Sequence, residues 1–162
     1  MNITNIAFNG EPVRGVCDHI HWVVPSPAPL GCSFAEFEAA REAINHPALE
    51  QENWDGYGAL AITKEIKGNA LSMLARFETT VAAPEVTPNP NGTISLVWET
   101  SKGYGHLEIG RTRYSFYVQP SVGDVISNDG DTDRVNPAVG SLVDALLYPK
   151  PSHSITQPFN NV

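Results

Sequence analysis

Seven consecutive residues, Asn53-Trp54-Asp55-Gly56-Tyr57-Gly58-Ala59, combine two aromatics, a carboxylate and two glycines: the residue types of a recognition loop rather than of a reaction centre. Glycines at 56 and 58 open backbone angles closed to other residues, so the chain can turn sharply and present Trp54 and Tyr57 on either side of Asp55. Two outcomes are open to the aromatics. Folded inward, they anchor the turn while Asp55 caps nearby amides. Facing outward, they join Tyr104, Tyr114 or Tyr117 in a partner-binding patch with Arg111 and Arg113 as its polar rim, because Trp and Tyr dominate interface hot spots.

Other clusters hold reactive side chains without completing a motif. Asp129, Asp131 and Asp133 alternate as the first ligands of a calcium loop do, but Arg134 stands where the turn glycine belongs and Gly140 where the closing glutamate belongs. They read as a solvated acidic loop and as candidate partner contacts. Cys17, His19 and His21 would share one face of a strand and carry zinc-type donors, yet no fourth donor accompanies them. Glu99 and Glu108 would form a carboxylate pair only if a meander brought them together. There is no phosphate-cradling glycine loop, nucleophile elbow or H-E-x-x-H helix. No catalytic residue, no metal and no cofactor are therefore expected.

The elements that must position these residues follow from periodicity. Ser33-Phe34-Ala35-Glu36 reads as a capping box opening a helix over about 34–46, with Phe34, Phe37, Ala40 and Ile44 on one face and Pro47 beyond its end. Thr63 caps a second helix, about 63–81, whose Ile66, Ala70, Met73, Leu74, Phe77 and Val81 recur at helical spacing. Gly68 inside it, at a cost of about 1 kcal/mol relative to alanine, either marks close packing against another backbone, the reading favoured, or simply weakens the helix. Asn91-Gly92 precedes three strands, about 93–99, 103–110 and 112–119, with connections short enough to demand an antiparallel meander. In the second, Tyr104, His106 and Glu108 alternate against Gly105, Leu107 and Ile109. In the third, Arg113, Ser115 and Tyr117 alternate against Tyr114, Phe116 and Val118. Residues 121–137 read as loop, and Pro137 opens a third helix over about 138–148.

The fold expected is thus α+β: a three-stranded antiparallel meander packed on the long helix, two flanking helices, and an extended proline-rich arm over 1–31. The 162 residues suit one domain over 1–148 with a tail over 149–162. Eighteen Asp and Glu against ten Lys and Arg give a net charge of −8, which disfavours direct nucleic-acid binding and anionic membrane surfaces. No run approaches the roughly 20 apolar residues of a membrane span, and the start of the chain lacks the pattern of a secretion signal. A cytoplasmic protein with Cys17 and Cys32 reduced is expected.

The loop 53–59, the following Ile62, Pro84-Glu85-Val86-Thr87-Pro88, and Asn91-Gly92 through Trp98-Glu99 together resemble a family of small bacterial and phage proteins. That family opens a helix with a W-D-G-Y-G-A loop and follows it with P-x-x-x-P, a turn glycine and a strand ending in W-E. The resemblance covers about residues 50–119 and implies an architecture and a phage or mobile-element setting, not a mechanism. With the acidic balance it leads to a non-enzymatic interaction protein: a regulator, inhibitor or antitoxin-like factor that docks on a host or defence protein, for instance by occupying a basic nucleic-acid channel. The contrasting expectation is a small-ligand protein or enzyme built on the Trp54–Gly58 loop, marked by a pocket that this loop would line with Asp55 and an arginine.

Overall fold

The computed structural model describes residues 30–149. Three α-helices pack on one face of a five-stranded antiparallel sheet, giving an α+β fold. Helix α1 (Leu30–Asn45) leads through a 3-10 turn at Pro47–Glu50 to α2 (Lys64–Phe77). Then come β1 (Glu85–Pro88), β2 (Ile94–Thr100), β3 (Gly103–Ile109), β4 (Arg113–Pro120) and β5 (Ile126–Asp131). A second 3-10 turn, Thr132–Arg134, precedes α3 (Ala138–Leu147). The strands lie side by side in chain order, so the sheet is one continuous meander.

The expected three-stranded meander is therefore wrong in its extent: two edge strands flank it. The β1 strand has four residues ending in Pro88, and an edge tolerates proline because one side of the strand needs no donor. The β5 strand runs through the segment read as an acidic loop, carrying Asp129 and Asp131 along a sheet edge where charge opposes further strand pairing. Its hold on the sheet comes from β4. Tyr114 stands opposite Gly130, whose missing side chain leaves room for the ring, and the Tyr114 hydroxyl donates to Asn128 and accepts from the Asn136 amide.

Alternation along the strands sorts side chains between two faces. Ile94, Leu96, Trp98, Leu107, Ile109, Tyr114, Phe116 and Val118 point to the helices and are buried. Trp98 is the largest. Its indole N–H donates to the Ala82 carbonyl at 2.8 Å, Phe77 of α2 meets its ring edge-on at 5.5 Å, and Gly105 stands opposite it on β3. Cover is shared, not left to α2 alone: Leu147 of α3 closes over Gly105, and the Thr100 hydroxyl donates to the Leu147 carbonyl at 3.3 Å.

Thr63 caps α2 as expected, its hydroxyl accepting from the Ile66 amide at 3.4 Å, but the helix ends at Phe77 and Val81 follows in a turn. Helix α1 begins at Leu30, which places Ser33 inside the helix and removes the capping box; Phe37, Ala40 and Ile44 are buried while Phe34 is exposed. Gly68 lies exposed with open space around it, so it serves no close packing. Lys67 is buried and spans from α2 to the first 3-10 turn, donating to the His46 carbonyl and to Glu50, each at 3.0 Å. That bond, with the lysine charge, holds the Glu50 carboxyl below its ordinary value of 4.5. No helix among the described residues is long and apolar enough to cross a membrane.

Candidate functional site

The 53–59 segment is a turn closed almost entirely by its own polar groups. Asn53 takes a left-handed backbone (φ 60°), as do Gly56 (φ 78°) and Gly58 (φ 96°), so the chain reverses within six residues. The Asn53 amide donates to the Ala59 carbonyl at 2.7 Å, and the Asn53 side-chain oxygen accepts from the Gly58 amide at 2.7 Å. One Asp55 oxygen accepts from the amides of Tyr57 at 2.8 Å and Ala59 at 3.1 Å. Those bonds, the Tyr57 amide foremost, hold the Asp55 carboxyl below its ordinary 3.8 against a smaller opposing effect of burial. A carboxylate stabilised this way organises the backbone of the turn.

The two aromatics divide. Trp54 packs against the core, and its indole N–H donates to the Leu60 carbonyl at 3.0 Å. Tyr57 points away and is 95% exposed, with Leu60 beside the turn at 54%. The loop is moored by the Leu60 amide, which donates to the Pro90 carbonyl at 2.9 Å, and by buried Ala59 and Ile62. The loop's backbone is thus held by its own hydrogen bonds, while the Tyr57 side chain stands in solvent.

The remaining candidates do not gather around this loop. The loop sits at the β1–β2 turn, whereas Tyr104 pairs with Glu99 and Gln119 at the far end of the sheet. Tyr114 faces the core. Arg111 turns toward Glu65 of α2 at 3.3 Å, and Asn69 fixes its backbone by donating to the Gly110 and Arg111 carbonyls. Arg113 reaches across to β5, meeting Asp129 at 2.7 Å and Asp131 at 3.4 Å. Asp133 lies nearest Arg134, at 3.8 Å. These ion pairs are exposed and each stabilises little, but the two from Arg113 tie the edge strand's charges to β4. Glu99 and Glu108 stand at opposite ends of the β2–β3 pair, so they cannot share a proton across a substrate. Glu108 instead accepts from Thr93 at 2.7 Å and Asn91 at 3.1 Å, which keeps its carboxyl below 4.5.

Compared with protein-family models, curated proteins and solved structures, the chain matches none. The site must be judged on its geometry.

Among the concavities formed by described residues are an open groove of about 450 Å³ beside Glu108, Arg113 and Asp129, and a cleft of about 250 Å³ between α2 and α3 beside Phe77 and Val135. Neither is lined by Trp54, Asp55 or Tyr57. No group of three His, Cys, Asp or Glu among the described residues is placed to hold a metal ion. The Cys17-His19-His21 cluster lies outside the described residues.

Two of the candidates, Tyr104 and Tyr117, gather instead around His106, a residue the sequence did not single out for a site. On the sheet face turned away from the helices, the rings of Tyr104 and His106 stack at 6.3 Å, His106 and Tyr117 at 5.2 Å, and Tyr104 and Tyr117 lie 5.9 Å apart. Burial lowers the His106 imidazole from its ordinary 6.5, with Glu108 opposing, and its Nδ1 is sealed from solvent without a hydrogen-bond partner among the described residues. The signal was present. Period-two alternation puts 104, 106, 113, 115 and 117 on one face.

Proposed function

We propose that this chain is a protein-interaction module and that the 53–59 loop is its docking element, inserting Tyr57 into a pocket of a partner protein. The observation that carries the reading is the split between the loop's aromatics: Trp54 is spent on the core, while a rigid frame of hydrogen bonds holds Tyr57 almost wholly in water. Leaving a large aromatic exposed gains the fold nothing, and holding it on a pre-ordered turn lowers the entropy lost on binding. Leu60 supplies an apolar neighbour for the same contact.

The resemblance to small phage and bacterial proteins suggests the partner class: a host or defence protein whose activity the chain regulates or inhibits. The net charge of −8 favours partners with basic surfaces and speeds their encounter. A ligand site on the loop has less support, because Trp54 turns to the core and Tyr57 to water, so the two rings do not face one another across a site.

The test is a paired capture from host lysate with the wild-type chain and Tyr57→Ala as baits. A protein retained by the first and lost by the second, with both baits melting at the same temperature, supports the reading. An unchanged set of retained proteins contradicts it.

A further inference from the structure

The outer face of the sheet has a composition that protein folding alone does not demand. None of its side chains belongs to the hydrophobic core, and among the described residues the helices pack on the other face. Tyr104, His106 and Tyr117 form a continuous aromatic surface at its centre, with ring planes within 34° of one another. Around it the strand register places Glu99 opposite Tyr104, Glu85 one strand further out, and Glu108 two residues beyond His106. Arg113 is the one cation among the described residues that this face's alternation supplies, and it is engaged by Asp129 and Asp131. Glu85, Glu99 and Glu108 have no cationic partner among the described residues.

From this juxtaposition we infer that the outer sheet face is a docking surface for an arginine-bearing basic segment of a partner protein. A guanidinium is planar and weakly hydrated, stacks on aromatic rings, and forks its N–H groups to carboxylates, so one arginine satisfies both the rings and the rim. Lysine fits less well, because its compact, strongly hydrated ammonium offers no plane to stack. Burial keeps His106 in its neutral form near pH 7, so it contributes a ring and not a repelling charge. Aromatic sheet surfaces can also stack nucleic-acid bases, but the surrounding carboxylates would repel the phosphates. This surface lies apart from Tyr57, so the inference rests on the chain's being an interaction module but not on which residues of the loop dock.

The test titrates the full chain into a fluorescent peptide of alternating arginine and glycine, followed by anisotropy. Saturable binding that weakens with salt is expected, with the matching lysine–glycine peptide bound about threefold to tenfold more weakly. The double variant Tyr104→Ser/Tyr117→Ser should weaken binding about tenfold or more. Glu85→Gln/Glu99→Gln, at exposed positions, should weaken it severalfold and flatten its salt dependence, and it reads the face even if the serine variant were to unfold. Tyr57→Ala should bind the peptide like wild type, which separates failure here from failure of the loop reading. Equal affinity for both peptides with no effect of the tyrosine changes would overturn the inference. So would tighter binding of a single-stranded oligouridine. Self-association of the chain that Tyr104→Ser/Tyr117→Ser abolishes would assign the face to a second copy instead, and would equally overturn it.

Discussion

The two faces of the sheet are built from the same strands and have opposite characters. The inner face is closed by aliphatic and aromatic side chains locked between β2, β3, β4 and the helices. The outer face carries carboxylates, hydroxyls and three stacked rings that no described helix covers. The 53–59 loop repeats that division in miniature, with Trp54 turned in and Tyr57 turned out. The contrast teaches where to look for function: inner aromatics are explained by burial, whereas outer aromatics gain the fold only cross-strand stacking, and partner binding is the role we propose for them.

The largest effect should come from the inner face. Replacing Trp98 with alanine removes a buried indole, its edge contact with Phe77 and its bond to the Ala82 carbonyl, and should cost about 3–5 kcal/mol in urea unfolding. A loss below about 1 kcal/mol would mean that the inner face is not the structural one. The middle effect lies at His106 and depends on pH. Its folded imidazole titrates below the ordinary 6.5, so as pH falls through 6.5 the unfolded chain takes up the proton first and stability declines, levelling once the folded value is passed. His106→Gln should flatten that decline, read as urea midpoints between about pH 8 and pH 5. Glu108, lowered mainly by its bond from Thr93, is separable: its contribution is intact above 4.5 and is lost only as pH falls below that. The smallest effect belongs to Tyr117→Ser, which loses ring stacking on the outer face and should shift stability by no more than about 1 kcal/mol. A shift as large as that of Trp98→Ala would erase the distinction between the faces.

Much of the inner architecture was legible because buried strands and amphipathic helices write their period into the sequence. Leu107 and Ile109 alternating with His106 and Glu108 identified β3, and Thr63 with the Ile66–Phe77 stripe identified α2. The edges were not legible. Glu85-Val86-Thr87-Pro88 and Ile126-Ser127-Asn128-Asp129-Gly130-Asp131 have the composition of loops, and they become strands because a neighbouring strand supplies their hydrogen bonds. Within the loop, the role of Asp55 as an amide acceptor could be read from residue type, since Asx turns are local. The opposite fates of Trp54 and Tyr57 could not, because they depend on where the core ends and not on any neighbour in sequence. The separation of Tyr104 from the loop likewise depends on the loop's packing against the β1–β2 turn, a long-range contact that spacing along the chain does not encode.

The central claim is that Tyr57 is held in water for a partner and not for the fold. Substituting Tyr57 with alanine, then measuring both the melting temperature and the retention of the captured partner, addresses it most directly. Unchanged melting with retention lost is the predicted result; a lowered melting temperature with retention intact would contradict it.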